Sequence, residues 1–141
     1  AYAEPFAILC DPAGSKLAQN QARIDQHFSG DSVAQIAESL ADDESAFAQA
    51  TLATMQKRSP LMMAVTLRQL RLGASLDLAG CLRMERTLVR QAFMQGEVTE
   101  GIRAVVIDKD NQPHWQPAEL AHVTDAMVDR FFAPVWPDHA H

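Results

Sequence analysis

The chain has 141 residues, the size of one domain with room for a real core. Hydrophobic residues make up 48% and charged residues 21%, which excludes a disordered or collagen-like chain. The net charge of −6 argues against a nucleic-acid partner, because phosphate binding relies on Lys and Arg to displace counterions.

Residues 1–20 carry Pro5, Pro12 and Gly14 without sustained periodicity and read as an irregular lead-in. A helical domain is expected over 21–133, followed by a tail over 134–141. Ile24 and Phe28 fit one helical turn that Gly30 would end. Ser32 with Gln35 has the spacing of a capping box, and Val33, Ile36, Ala37 and Leu40 follow at helix spacing. Asp42 or Asp43 is a candidate cap for the next helix, striped by Phe47, Ala50, Thr51, Thr54 and Met55. Ser59-Pro60 opens a further helix, since proline at the first position lacks only an N–H that has no partner there. Its stripe is Met63, Thr66, Leu67 and Leu70, and Gly73 ends it. Ser75 or Asp77 opens the longest segment, with Leu78, Cys81, Leu82, Leu88, Val89, Ala92 and Phe93 on one face and Gly96 at its close. Pro117 starts a last helical region lined by Leu120, Val123, Met127, Val128 and Phe131, with Thr124 as a candidate break. Pro134 and Pro137 forbid continuation. The expected fold is all-α, a bundle of five to seven helices.

Cys10 and Cys81 lie far apart, and a small disulfide-stapled secreted domain would use more cysteines. Both read as reduced thiols, which points to a cytoplasmic setting. No apolar run approaches the roughly 18 residues of a membrane span. No basic segment followed by an apolar one opens the chain, so no signal peptide is expected. The opening "AYAEPF" lacks an initiator Met and reads as part of something longer.

The stretch "EGIRAVVIDKDNQPHW" admits three readings: a strand at Arg103–Ile107, a cation loop from Asp108, or a helix opening at Glu100. Counted from Asp108, Asp110, Gln112 and Glu119 fall at positions three, five and twelve of a calcium loop. Position six, where the turn demands Gly, is Pro113, and position eight is Trp115, so no metal site is assigned. His27, His114, His122, His139 and His141 show no zinc-ligand spacing and read as solvated. There is no Gly-x-Ser-x-Gly elbow, and the isolated glycines form no phosphate cradle or paired oxyanion donors. Glu85 falls among the apolar residues of the longest helix. A carboxylate buried there needs a partner, and Arg103 is the candidate. A structural role fits it better than that of a general base, which would need a second acid or a nucleophile. No catalytic, cofactor-binding or metal-ligating residue is assigned.

The segments "SPLMMAVTLRQLRLG", "CLRMERTLV" and "EGIRAVVIDKDNQPHWQPAEL", in that order, resemble the C-terminal part of the 3-hydroxyisobutyryl-CoA hydrolase branch of the enoyl-CoA hydratase/isomerase (crotonase) superfamily. "IDQHFSGDSVAQIAESL" is similar to the segment that precedes them there, so the resemblance runs from about Ile24 to Phe132. It implies that Glu100–Ile107 is helix, with Asp-Lys-Asp at its end and a proline turn beyond. It places Glu97 at the cap, where the family more often has Asp. It also implies that the oxyanion-holding turn and the working carboxylates belong to an N-terminal core, whose motifs are not seen in this sequence. A lysine that contacts coenzyme A in sister hydratases aligns with Asp108, one residue from Lys109, so that contact is not carried over.

Three functions follow. The first is the C-terminal helical part of an acyl-CoA thioester hydrolase of valine degradation, inactive alone and without a cofactor of its own, acyl-CoA being the parent's substrate. The second is the same part of an enoyl-CoA hydratase or isomerase. The third is a stand-alone, non-catalytic interaction module. The expected partners are a second copy of the chain or the N-terminal crotonase core. Met62/Val65 and Phe131/Phe132 are the stripes expected to lack cover, with the 59–73 and 75–96 helices at the contact.

Overall fold

The computed structural model of the chain describes residues 14–135. Among them are seven α-helices and no strand. They fall into two compact units, one of residues 14–31 and 35–55, the other of residues 32–34 and 56–135.

The first unit holds α1 (Lys16–His27), most of α2 (Val33–Ala41) and α3 (Ala46–Met55). Helix begins inside the expected irregular lead-in, because the Ser15 hydroxyl accepts the Ala18 N–H at 3.0 Å and caps α1. Expectations for residues 1–13 and 136–141 lie outside the described residues. Gln35 reaches back to the Asp31 N–H at 2.6 Å, one residue before the position a capping box would use. Neither Asp42 nor Asp43 caps α3. Ser45 does so, accepting the Ala48 N–H at 3.2 Å, while the Asp43 carboxylate accepts the Ser45 N–H at 2.7 Å. The buried position of α3 is Ala48; Phe47, Thr51 and Met55 of the expected stripe are half-buried, whereas Ala50 and Thr54 are exposed, so the packed side is turned by roughly a sixth of a turn from the expected stripe.

The second unit begins at α4 (Pro60–Gly73), capped by Ser59, whose hydroxyl accepts the Met62 N–H at 3.0 Å. α5 (Leu78–Met94) opens at Asp77, which accepts the Gly80 N–H at 2.7 Å. Gly96 adopts φ +90° and turns the chain into α6 (Glu97–Ile102). Gly96, not Glu97, is the cap residue, so the expected cap moves by one position. A π-helical turn, Arg103–Ile107, continues α6 and closes with the Asp108 N–H on the Arg103 carbonyl at 2.8 Å. The helix expected over Glu100–Ile107 is present, with its second half wound wider. Asn111, at φ 55°, donates its N–H to the Ala104 carbonyl and ends the turn. Residues after Pro117 do not start a long helix: a 3₁₀ turn, Leu120–His122, comes first, and the Thr124 cap then opens α7 (Asp125–Phe132). Thr124 is the expected break.

Leu61, Val65, Leu88, Ala92, Val128 and Phe131 form the core of this unit, packing α4, α5 and α7 together. Val65 and Phe131 are therefore covered by one another's helices, and Met62 and Phe132 lie against the same cluster, contrary to the expectation that these stripes lack cover. On α4 the expected stripe is displaced as well: Leu61 and Val65 are buried, whereas Thr66 and Leu70 are exposed. Arg68 pairs with Asp129 and lies 5.6 Å from the Phe132 ring centre, so its charge and its plane both tie α4 to α7. Gln91 donates to the Ala133 carbonyl at 3.2 Å and satisfies a group left open at the end of α7.

Candidate functional site

Three polar constellations are candidates for chemistry. The densest lies in the phrase that carries the family resemblance. The Arg103 guanidinium donates to both Glu100 oxygens (2.8–3.2 Å), to Asp108 at 2.6 Å, to Asp110 at 2.8 Å and to the Gln112 carbonyl at 2.9 Å. The α6 helix sets Glu100 one turn before Arg103, and the π turn swings Asp108 and Asp110 back over it. The bidentate fork of arginine is what lets one side chain hold this many acceptors. The Arg103 bonds, with the His114 N–H added at 2.6 Å, hold the Glu100 carboxyl down at about 2. Arg103 also lowers the Asp110 carboxyl, and the carboxylates raise the guanidinium in turn. Trp115 follows, its indole N–H on the Lys57 carbonyl at 3.4 Å and its ring 3.4 Å from where a Cβ on Gly101 would stand. Every carboxylate here is already paired, so the cluster fixes the chain path and offers no general base.

The second constellation centres on His27, which is 1% exposed. Its Nε2 lies 2.9 Å from Asp43 and its Nδ1 2.8 Å from the Ser39 hydroxyl, with the Phe47 ring stacked 6.5 Å away. The Ser45 N–H, and His27 after it, hold the Asp43 carboxyl below its ordinary range, so Asp43 is the acceptor of the bond to Nε2. The order Asp, His, Ser is that of a hydrolytic triad. Ser39 however sits inside α2, where backbone N–H groups are spent on the helix and none is left to stabilise an oxyanion. His27 was expected to be solvated; its burial is set by residues 12 and 16 positions further on. His114 and His122 are exposed, as expected.

The third is Glu97, 7% exposed, hydrogen-bonded to Ser59 and with its Oε2 lacking a partner. Burial pushes its carboxyl up. Sequence reasoning had assigned burial to Glu85. Glu85 is exposed and accepts from Gln69 at 3.5 Å; Arg103 is engaged elsewhere. The helical stripe holding Glu85 is apolar but points away from the core, and that is why the expectation fails. Among the described residues no group of three His, Cys, Asp or Glu side chains could hold a metal ion.

The profile of the enoyl-CoA hydratase/isomerase family matches residues 3–132. The chicken protein named 3-hydroxyisobutyryl-CoA hydrolase, mitochondrial, is 43% identical over 120 residues, covering 84% of this chain and 31% of its own length. The human protein of that name is 42% identical over 117 residues, covering 82% and 30%. A carnitinyl-CoA dehydratase from Mycobacterium thermoresistibile superposes with a TM-score of 0.83 at 36% identity, over 91% of this chain and 37% of its own. An enoyl-CoA hydratase from Rhodobacter sphaeroides does so with 0.81 at 30% identity, over 94% and 42%. The chain thus spans about a third of the length of the curated relatives it matches. The 141-residue chain belongs to the enoyl-CoA hydratase/isomerase family.

Proposed function

We propose that this chain is the helical C-terminal region of an acyl-CoA thioester hydrolase acting on 3-hydroxyisobutyryl-CoA, a step of valine degradation. The observation that carries the reading is the 43% identity to the hydrolase over 84% of the chain. The Arg103 cluster adds support, because the residues of the most specific phrase prove to be those that shape α6 and its π turn. Catalysis then belongs to an N-terminal crotonase core in the parent protein, and this region supplies cover and position. Ile102, Val105, Val106 and Ile107, all exposed along α6 and the π turn, are the face we assign to docking on that core. Acyl-CoA is the substrate of the parent. Cys81 carries a free thiol, which fits our reading of a reducing, cytoplasmic setting; the vertebrate relatives are named as mitochondrial.

A second reading, a hydratase or isomerase, is favoured by the dehydratase and hydratase likeness. Assays of the full-length parent separate the two. Thiol release from 3-hydroxyisobutyryl-CoA without hydration of a 2-enoyl-CoA supports the hydrolase, and the reverse result overturns it. The 141-residue chain alone should give background in both assays. Turnover by it would refute the assignment of catalysis to the core.

A further inference from the structure

Two departures from ordinary backbone follow one another, and one side chain closes both. The first is the π turn, Arg103–Ile107. Such turns are rare and occur frequently at functional sites. The second is the run after it. Lys109 and Asn111, neither of them glycine, stand at φ 57° and 55°, in the left-handed region that most side chains avoid. A non-glycine residue stays there only where its surroundings hold it.

Arg103 supplies that hold. Its guanidinium donates to Asp108 and Asp110, which flank Lys109, and to Asp110 and the Gln112 carbonyl, which flank Asn111. The Asp108 N–H returns to the Arg103 carbonyl and the Asn111 N–H to the Ala104 carbonyl, so the run is folded back onto the π turn. Within this turn Ala104 is buried, whereas Val105, Val106 and Ile107 are each at least 60% exposed, with Ile102 exposed beside them. None of these four belongs to the core of α4, α5 and α7. Strained backbone and bare aliphatic side chains both cost this chain stability, and its own core gains nothing from either. The chain spans about a third of its curated relatives, so most of the parent's length lies outside it and can cover the face.

We propose that Arg103 is a positioning residue for thioester hydrolysis by the parent. By holding Lys109 and Asn111 against the π turn, it gives Ile102, Val105, Val106 and Ile107 the arrangement in which they seat on the N-terminal, acyl-CoA-binding core. The inference rests on the reading of the parent given above. Arg103 itself meets no substrate and acts through the shape of the turn. Lysine cannot replace it, because a single ammonium lacks the planar fork that reaches acceptors on both sides of two residues.

Steady-state kinetics of the full-length parent test it. The assay is whichever reaction that protein turns over, thiol release from 3-hydroxyisobutyryl-CoA or hydration of a 2-enoyl-CoA. Hydration in place of hydrolysis defeats the reading of the parent and leaves the test of Arg103 intact. Arg103→Lys should lower kcat at least about tenfold and change KM by less than about threefold, the pattern of an interaction felt in the transition state. Val106→Ala should lower kcat in the unsubstituted parent, but by less than about twofold in the Arg103→Lys background, since residues that act as one unit are not additive. Leu17→Ala, exposed and in the first compact unit, should change kcat in neither background. Asp110→Asn weakens one arm of the hold and should shift kcat in the same direction by less. It carries the same test, with the same Val106→Ala coupling, where far-UV circular dichroism at the assay temperature shows Arg103→Lys unfolded. An unchanged kcat in the folded variant overturns the proposal. So does a loss confined to KM, or a loss to which Val106→Ala adds in full, as it would if Arg103 served only the stability of the fold.

Discussion

The Ser59 hydroxyl serves two helices, accepting the Met62 N–H that opens α4 and donating to the buried carboxyl of Glu97 at the start of α6. One oxygen of Glu97 is satisfied in this way and the other is not. The charged form is therefore disfavoured in the folded chain.

Glu97→Gln should expose that cost. The folded carboxyl lies above its ordinary 4.5, so the stability tied to it is fully present below 4.5 and is lost as pH rises through the folded value. At pH 7 the Gln variant should be more stable than the unsubstituted chain, because it removes the charge that burial disfavours. The gap should close toward pH 4. Urea unfolding at a series of pH values measures it, and a variant equally destabilised at every pH would refute the account.

Arg103→Ala should act in the opposite pH range. Glu100 and Asp110 are held below their ordinary values, so the stability they contribute is present above about 4.5 and disappears as pH falls, for Glu100 through about 2. The parent's melting temperature should drop steeply on acidification. The Ala variant should start lower at pH 7 and fall less. Parallel curves would mean that the carboxylates are held by something other than Arg103.

His27→Ala removes a buried ring and leaves Ser39 and Asp43 without their shared partner. The expected loss is about 3 kcal/mol, from the cavity and the orphaned polar groups together. The exposed His122→Ala should change stability by less than about 0.5 kcal/mol. Equal effects in thermal unfolding would place His27 in solvent.

Gly96 and Gly73 should part company on substitution. Ala at position 96 must adopt φ +90° and should cost about 1 kcal/mol or more, although nothing lies within 4 Å of the added carbon. Ala at position 73 would meet Cys81 and Met84 at ordinary contact distances of 3.7 and 3.8 Å and should be tolerated. Chemical denaturation of the two variants compares them directly.

Helix ends were legible because their chemistry is local. Ser59, Asp77, Gly96 and Thr124 mark boundaries that the structure keeps, each through a group within three residues. The helix over "RAVVI" was legible only through the family resemblance, since β-branched density by itself argues for a strand. Burial was less readable. α5 has apolar residues around more than one side, so periodicity alone could not tell the side bearing Leu88 and Ala92 from the side bearing Leu82 and Val89. The same ambiguity put Glu85 inside and left Glu97 unnoticed. Asp43 was read as a cap when its carboxylate serves Ser45 and His27, a bond to a partner 16 residues back that no spacing rule would find.

All the acceptors of Arg103 lie between three residues before it and nine after it. Closing so short a segment costs little chain entropy, and contacts of this range need no distant element in place first. The cluster can therefore form while the α4, α5 and α7 core is still open, and during folding it would act as a ready-made corner against which the longer helices later settle.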